Sequence, residues 1–191
     1  MSGRKLRPLA AAAAIALLVA IAALGVNQAA HKAALPLTNA EVIREQAAAK
    51  HLDPALIAAV IYAESKFEPR PSSAGAEGLM QILPATAYYL AHLSGGTRFT
   101  ASDLATPSVN IAYGSYYLRY LLDHYHGDEM LAVAAYNGGI ANVDGWVAQA
   151  SAEGHGLEQA SIPFPETREY VRRVLVAQQQ YRATYPRELG V

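Results

Sequence analysis

One glutamate, Glu64, stands where the helical pattern of its segment predicts an apolar side chain. It follows Ile57, Val60 and Ile61 by seven, four and three residues, and those spacings place all four side chains on one face of a helix. Moving an ionised carboxylate away from water is costly, so a carboxyl group there tends to keep its proton near neutral pH. A protonated carboxyl group is what general-acid cleavage of a glycosidic bond requires.

The same position also suits a purely structural role. A glutamate at a helix end often pairs with a nearby base, and Lys66 and Arg70 follow Glu64 closely in the sequence. Spacing alone therefore leaves two interpretations of Glu64 open, a catalytic acid and an ion-pair partner.

Two later segments carry side chains that suit a sugar ligand. The stretch GAEGLMQI holds Gly75 and Gly78, which let a backbone approach a ligand closely, and Gln81, whose amide can bond to hydroxyl or acetamido groups. The stretch AAYNGG ends a helix with the phenol of Tyr136 and the amide of Asn137. Each segment alone is more often packing or a turn.

Helices must position these side chains, because the chain shows no convincing alternating strand and no internal repeat. Asp53 and Pro54 are a helix start with an N-cap and a proline at the first position, and this helix should end before Pro69. The following stretch, 70–78, is rich in proline, serine and glycine, which predicts a loop. The predicted fold class is all-α, with at most a minor β-hairpin in the loop after Glu64.

Further helices are predicted on both sides of this loop. Thr38 and Glu41 have capping-box spacing at the start of the first one. The other predicted helices cover 84–93, 107–125, 128–136 and 141–150, and a last one begins at Pro165.

The helix over 107–125 carries a stripe of large side chains at helical spacing. Its members are Val109, Ala112, Tyr113, Tyr116, Tyr117, Tyr120 and Leu121. We expect the four tyrosines to pack mainly in the core. The alternative is that they contribute to a groove for sugar rings, since the chain holds 12 tyrosines.

Composition excludes several other functions. The net charge is −1, and without the three basic residues that precede the first apolar run, 12 basic residues face 16 acidic ones, giving −4. No basic patch is visible, so a nucleic-acid partner is not expected. The absence of cysteine excludes disulfides, thiolate zinc sites and a cysteine nucleophile, and the six histidines lack a metal-ligand pattern. We expect no metal and no organic cofactor.

The first 26 residues predict export. Three basic residues lead into the uncharged stretch 9–26, whose 18 residues would span the hydrocarbon core as a helix at about 1.5 Å per residue. The basic flank predicts a cytoplasmic N-terminus and an exported remainder. An uncleaved inner-membrane anchor is favoured over a signal sequence cleaved near Ala23-Leu24-Gly25. Residues 27–37 are interpreted as a linker and 38–191 as one domain.

Taken in order, the motifs resemble one enzyme family. They are Glu64-Ser65, GLMQI from Gly78 to Ile82, AYN from Ala135 to Asn137, and IPFPETREYV from Ile162 to Val171. In this order they are similar to the catalytic domain of the soluble-type lytic transglycosylases, over roughly residues 40–185. The resemblance implies a lysozyme-like fold and an enzyme that acts on the glycan strands of peptidoglycan in the periplasm or cell envelope, with further envelope proteins as possible partners.

The resemblance also implies roles for individual residues. Glu64 matches the one catalytic acid and base, and Ser65 supports the helix end. The residues implied at the substrate are Ser73 near an acetamido group, Met80 and Gln81 along the cleft, Tyr136 orienting the catalytic region, Asn137 as an amide of the cleft, and Glu166 and Tyr170 at the cleft border.

The implied reaction forms a 1,6-anhydro sugar without water. Glycosidases usually employ two carboxylates, yet Glu68 and Glu77 stand at a helix end and in a loop, outside any comparable motif. Two alternatives stay open from the sequence: a muramidase similar to goose-type lysozyme, which would use water, and a non-catalytic peptidoglycan-binding module.

Overall fold

The computed structural model of the protein describes residues 35–95 and 99–191. The predicted anchor or signal, 1–26, and the linker up to residue 34 lie outside the described residues. Within the described part of the chain, none of the helices combines the length and apolar character that a membrane crossing needs.

Helices build the unit formed by residues 37–191. Their bounds are α1 Ala40–Lys50, α2 Pro54–Ser65, α3 Pro84–Leu93, α4 Pro107–His124, α5 Glu129–Gly138, α6 Ile140–Ala152, α7 Pro165–Thr184 and α8 Pro186–Leu189, with 3₁₀ turns at Ala101–Ala105 and Gln159–Ser161. The all-α prediction is confirmed for the described residues. The expected β-hairpin shrinks to one isolated antiparallel bridge between Glu77 and Ile82.

Helix starts follow the chemistry of their first residues. Asp53 caps α2 by accepting a hydrogen bond from the backbone nitrogen of Ala55, and Asp128 caps α5 in the same way. The predicted capping box at α1 is wrong. Asn39 occupies the N-cap position with a left-handed φ of 56°, and no side chain caps this helix.

Helix α2 is the centre of the domain and packs most extensively against α7. Every side chain from residue 55 to residue 61 is at most 1% exposed. The helix is therefore apolar on all sides rather than on one face. What makes Glu64 special is its place along the axis, because α2 leaves the core at its last turn.

Helix α4 turns to the core a side that shares Leu121 with the predicted stripe but leaves out its four tyrosines. Its buried apolar side chains are Ile111, Leu118, Leu121 and Leu122. Tyr113, Tyr116, Tyr117 and Tyr120 are each half-buried. The expectation that these tyrosines pack mainly in the core is wrong, since shorter branched residues fill the space between α4 and its neighbours.

Asn110, fully buried on α4, holds the loop between α2 and α3. Its Oδ1 accepts a hydrogen bond from the backbone nitrogen of Met80 at 2.7 Å. Its Nδ2 donates to the carbonyl oxygens of Glu77 at 2.8 Å and Leu104 at 3.1 Å. Backbone groups that would otherwise be buried without partners are satisfied in this way.

Two more helices hold the same loop. Ser65, at the end of α2, donates from Oγ to the carbonyl oxygen of Leu79 at 2.8 Å. Tyr136 of α5 donates from its hydroxyl to the carbonyl oxygen of Met80 at 2.9 Å. The loop thus has no regular secondary structure of its own and is fixed by side chains from α2, α4 and α5.

Replacement of Gly78 by alanine should destabilise the domain far more than replacement of Gly75. Both glycines have positive φ, 76° and 78°, so either alanine costs about 1–2 kcal/mol of backbone strain. Only at Gly78 would the new Cβ meet a neighbour, lying 2.2 Å from Nδ2 of Asn110. We expect Gly78→Ala to lower the unfolding free energy by about 3–5 kcal/mol in urea titrations, because the amide must move and its hydrogen bonds weaken. Equal losses for the two variants would contradict this account of the loop.

Candidate active site

Glu64 lies in the last turn of α2, half-buried at the edge of the core. Burial disfavours its ionised form and raises the pKa of the carboxyl group from the ordinary 4.5 to about 7. The carboxyl-terminal end of a helix also carries partial negative charge, which opposes an anion at the same place. The structure therefore supplies a carboxyl group that exchanges a proton near neutral pH.

Tyr170 and Arg173 of α7 act in the opposite direction. The hydroxyl of Tyr170, which is 2% exposed, donates a hydrogen bond to Oε1 of Glu64 at 2.7 Å. This bond and the positive charge of Arg173 each lower the pKa of Glu64, but burial has the larger effect. The guanidinium carbon of Arg173 lies 5.9 Å from the centre of the Tyr170 ring, so one residue of α7 positions the other.

Tyr136 forms the other phenolic neighbour of Glu64. Burial and the negative charge of Glu64 raise the pKa of Tyr136, and the same causes raise the pKa of Tyr170. Both residues therefore stay neutral and act as hydrogen-bond donors over the pH range in which Glu64 titrates. Tyr170 thereby stabilises the carboxylate without adding charge, whereas the hydroxyl of Tyr136 donates to the carbonyl oxygen of Met80.

The predicted ion pair between Glu64 and a base of its own segment is not what the structure shows. Lys66 and Arg70 are exposed, whereas the hydrogen bond to the carboxyl group comes from Tyr170 and the nearby positive charge from Arg173, both on α7. Burial rather than pairing sets the properties of Glu64.

Two predicted substrate residues of the loop serve the protein instead. The side chain of Met80 is 0% exposed, and it packs so closely on α4 that a Cβ on Gly114 would lie 2.3 Å from its sulfur. Nε2 of Gln81 donates to the carbonyl oxygens of Arg70 and Gly78. Met80 therefore does not line an open cleft in this structure, and the amide nitrogen of Gln81 is committed to the fold of the loop.

Ser72 and Ser73 of the loop differ in whether their hydroxyl groups are engaged within the protein. Oγ of Ser72 accepts a hydrogen bond from the backbone nitrogen of Ala76 at 2.9 Å, which closes the turn. Ser73 is exposed. Of the two, Ser73 is the one whose hydroxyl group a ligand can reach.

Asn137 and Thr167 join the end of α5 to the start of α7. The hydroxyl of Thr167 donates to Oδ1 of Asn137 at 2.8 Å, and Thr167 is 2% exposed. A side chain on Gly138 would lie 3.1 Å from Thr167, so glycine lets the two helices meet there. Sequence reasoning missed Thr167, although it stands inside the quoted motif IPFPETREYV.

Glu166 lies in the first turn of α7 and is exposed. It precedes Tyr170 by four residues, so the two side chains share one face of the helix. This spacing places Glu166 one turn from the hydrogen bond between Tyr170 and Glu64.

Among the described residues, no group of three histidine, aspartate or glutamate side chains is arranged to hold a metal ion.

Comparison with known proteins identifies relatives over most of the chain. Residues 41–157 match the family described as the transglycosylase SLT domain. The soluble lytic murein transglycosylase of Escherichia coli (strain K12) is 31% identical over 150 residues, which cover 77% of this chain and 23% of that protein. The transglycosylase of Enterobacteria phage PRD1 is 39% identical over 125 residues, 65% of this chain and 43% of the phage protein. The chain thus spans about a quarter of the length of the Escherichia coli relative.

Solved structures are similar in the same way. The 70 kDa soluble lytic transglycosylase SLT70 from Escherichia coli has a TM-score of 0.74 and 28% identity, covering 80% of this chain and 25% of that one. An inactive mutant of the lytic transglycosylase Slt from Pseudomonas aeruginosa has a TM-score of 0.71 and 30% identity, covering 78% and 24% of the two chains. A complex of the 70-kDa soluble lytic transglycosylase with bulgecin A is similar to the same degree, with a TM-score of 0.74 and 28% identity.

Replacement of Glu64 by glutamine should stabilise the folded protein, and more so as the pH rises. The raised pKa means that the folded state holds the proton more tightly than the unfolded state, so wild-type stability falls between about pH 4.5 and pH 7. We expect the difference in unfolding free energy between Glu64→Gln and wild type to grow by on the order of 2 kcal/mol from pH 4 to pH 8 in urea titrations. Glu166→Gln, at an exposed glutamate, is the matched control. A difference for Glu64→Gln that does not change with pH would contradict the burial of its carboxyl group.

Proposed function

The chain belongs to the transglycosylase SLT domain family, and from this premise we propose that it is a lytic transglycosylase of peptidoglycan. The proposed reaction cleaves the β-1,4 bond between N-acetylmuramic acid and N-acetylglucosamine and leaves a 1,6-anhydro end on the muramic acid. The observation that carries the proposal is the half-buried Glu64, whose pKa of about 7 allows it both to donate and to accept a proton near neutral pH.

Glu64 acts first as an acid. Its protonated carboxyl group donates the proton to the glycosidic oxygen while the bond from that oxygen to the anomeric carbon breaks. The acetamido group of the N-acetylmuramic acid, the sugar that holds this anomeric carbon, stabilises the positive charge that develops there. It takes the place of a protein nucleophile. The exposed Ser73 is the residue proposed to orient the acetamido group.

Glu64 then acts as a base. The carboxylate accepts the proton of the 6-hydroxyl group as that oxygen attacks the anomeric carbon, which closes the anhydro ring and restores the protonated enzyme. No water is consumed, and the attack gains from proximity because nucleophile and carbon belong to one sugar. No metal or organic cofactor enters this route.

Tyr170 adjusts the balance between the two roles. Burial alone would hold the proton too tightly for donation, and the hydrogen bond from Tyr170 to Oε1 offsets part of that effect. The carboxyl group is then close to half-ionised at neutral pH, the condition in which one residue serves as acid and base.

Two further predicted residues, Asn137 and Glu166, are proposed to border the substrate. Asn137 is exposed beside Thr167, which fixes the amide through its oxygen. Glu166 lies one turn of α7 from Tyr170. Gln81 and Met80 contribute through the shape of the loop, because their hydrogen-bonding and packing groups are engaged within the protein.

The place of action follows from the sequence of the N-terminus. We propose that residues 1–26 direct export and that the domain works on the cell wall in the periplasm, anchored to the inner membrane if the segment is not cleaved. Partners in the cell envelope would then select where glycan is opened. Sequencing the N-terminus of the exported protein distinguishes the anchor from the cleaved signal.

Incubation of the full-length protein with purified sacculi should release muropeptides that end in 1,6-anhydromuramic acid. Glu64→Gln should retain binding to sacculi and lose the product by at least about a hundredfold, because glutamine cannot transfer the proton. Mass spectrometry is the measurement, since anhydro ends are one water lighter than reducing ends and are not changed by borohydride. Glu68→Gln, at an exposed glutamate of the same segment, is the matched control.

Three outcomes would overturn the proposal. Reducing ends in the wild-type digest would indicate a hydrolytic muramidase similar to goose-type lysozyme. Binding to sacculi without any soluble fragment would indicate a peptidoglycan-binding module. Near-normal product from Glu64→Gln would remove Glu64 from the mechanism.

Replacement of Tyr170 by phenylalanine should move the alkaline limb of the pH–rate profile upward. The hydrogen bond from Tyr170 lowers the pKa of Glu64, so its loss raises that pKa, by up to about one unit for a bond to a charged group. Activity requires the protonated acid and falls as the pH passes its pKa, so the fall should occur at higher pH.

Tyr125→Phe is the control for this effect. The hydroxyl of Tyr125 also donates to a carboxylate, Oδ1 of Asp144 at 3.0 Å. That substitution removes a similar bond away from Glu64 and should leave the limb in place. A limb that stays or moves downward in Tyr170→Phe would contradict the assigned role.

A further inference from the structure

A pocket of about 320 Å³ lies between α2 and α7, beside the last turn of α2. Ala63 and Lys66 line it from the end of α2, and Arg172 and Arg173 line it from α7. Ala63 directly precedes Glu64 in the sequence, yet Glu64 does not line this pocket. The pocket is therefore within one helical turn of the candidate catalytic acid and is built from other side chains.

Positive charge dominates the lining of this pocket. Lys66, Arg172 and Arg173 are all exposed. Arg172 forms a salt bridge with Glu169, through Nε at 2.8 Å and Nη2 at 2.6 Å. Neither Lys66 nor Arg173 makes an ion pair with another described residue. Three cations thus stand against one carboxylate, and this excess of positive charge suits an anionic ligand.

The stability of the helices accounts for only part of this charge. Lys66 follows the last residue of α2, where a cation interacts favourably with the helix dipole. Arg172 and Arg173 lie in the middle of Pro165–Thr184, so the dipole of α7 does not explain them. The guanidinium carbon of Arg173 lies 5.9 Å from the ring centre of Tyr170, a contact that orients Arg173 without neutralising its charge.

The rest of the pocket is uncharged. Val176, which is 42% exposed, and the small side chains of Ala63 and Ala177 provide an apolar surface. The side-chain amide of Gln180 offers a donor and an acceptor that match a peptide group. An inorganic anion would leave these parts of the pocket unused, whereas a short peptide that ends in a carboxylate uses them together with the cations. A carboxylate is also the group that an arginine binds best in a planar, two-pronged geometry.

We propose that this pocket binds the carboxylate end of a peptide with small apolar side chains, carried by the glycan strand whose bond Glu64 cleaves. Lys66 and Arg172 bind the carboxylate, and Val176 contacts the last side chain. Peptidoglycan carries short peptides on its sugars, and at about 3.3 Å per residue a few residues cover the distance of one helical turn. This inference rests on the proposed function, because it assigns the peptide to that substrate.

The pocket is coupled to Glu64 through Arg173. Arg173 lines the pocket, and its positive charge lowers the pKa of Glu64. A carboxylate bound beside Arg173 offsets this effect and so favours the protonated form of Glu64, which is the form that starts the reaction. By reciprocity, the peptide should bind more weakly once Glu64 is ionised. Tyr170 and Tyr136, the other groups that face Glu64, stay neutral where it titrates.

The probes for the first test are N-acetyl-D-alanyl-D-alanine and its C-terminal amide, which differ in the one charge that the pocket is proposed to bind. Binding to the full-length protein is measured by NMR titration. We expect the free acid to bind about tenfold more tightly than the amide, as is typical of hydrogen bonds to a charged group. Lys66→Gln and Arg172→Gln should each remove most of this preference. Arg70→Gln removes a positive charge from the same segment but not from the pocket, so it should keep the preference.

A second measurement tests the coupling to Glu64. The affinity of the wild-type protein for the free acid should fall about two- to threefold from pH 5.5 to pH 8.5, because Glu64 ionises while the dipeptide keeps its charge. This fall should be absent from Glu64→Gln. An affinity that changes equally with pH in both proteins would contradict the coupling.

Kinetics connect the pocket to the reaction. The ratio of kcat/KM for peptide-bearing to peptide-free glycan should fall about tenfold in Lys66→Gln and stay at the wild-type value in Arg70→Gln. Equal binding of acid and amide, tighter binding of inorganic phosphate than of the dipeptide, or equal losses in Lys66→Gln and Arg70→Gln would overturn the peptide site. Dipeptide binding requires no catalysis, so absence of anhydro product from the wild-type protein would overturn the proposed reaction alone.

Discussion

The burial of one carboxyl group at the end of α2 is the constraint on which the site depends. The segment from residue 55 to residue 61 is almost completely enclosed, and Glu64 follows one turn later, where the helix leaves the core. Burial keeps the ionised carboxylate of Glu64 from being fully solvated, and the hydrogen bond from Tyr170 compensates for only part of that loss. The pKa of Glu64 is therefore about 7, and a pKa near the working pH is what one residue needs to serve as both acid and base.

The rest of the domain keeps that group in place without burying it further. Asn110, Ser65 and Tyr136 hold the loop after α2 through its backbone, so a segment without regular structure is as well defined as the helices around it. Two residues therefore link the loop and the carboxyl group: Ser65 follows Glu64 in α2, and Tyr136 lies beside it. Glycine is needed at Gly78 in this loop because its φ is positive and a side chain there would meet Asn110.

The sequence predicted much of the fold because local chemistry sets helix starts. Asp53 caps its helix beside Pro54 as expected, and the helix predicted from residue 128 begins at Glu129. Contacts between distant residues were harder, and Tyr170 meets Glu64 across 106 positions of the chain. Asn110 was missed because an asparagine within a helix usually faces solvent, and only the fold shows that it satisfies a buried loop. Met80 was assigned to the cleft by resemblance, yet packing against Gly114 turns it inward.

Direct titration of the Glu64 side chain tests the central claim without any substrate. The full-length protein would be labelled with ¹³C at glutamate carboxyl groups, and the resonance absent from the Glu64→Gln spectrum would be followed from pH 3 to pH 9. A midpoint near pH 7 is the result that burial at the end of α2 requires. A midpoint near 4.5, the ordinary value for glutamate, would show a solvated carboxylate and contradict the account.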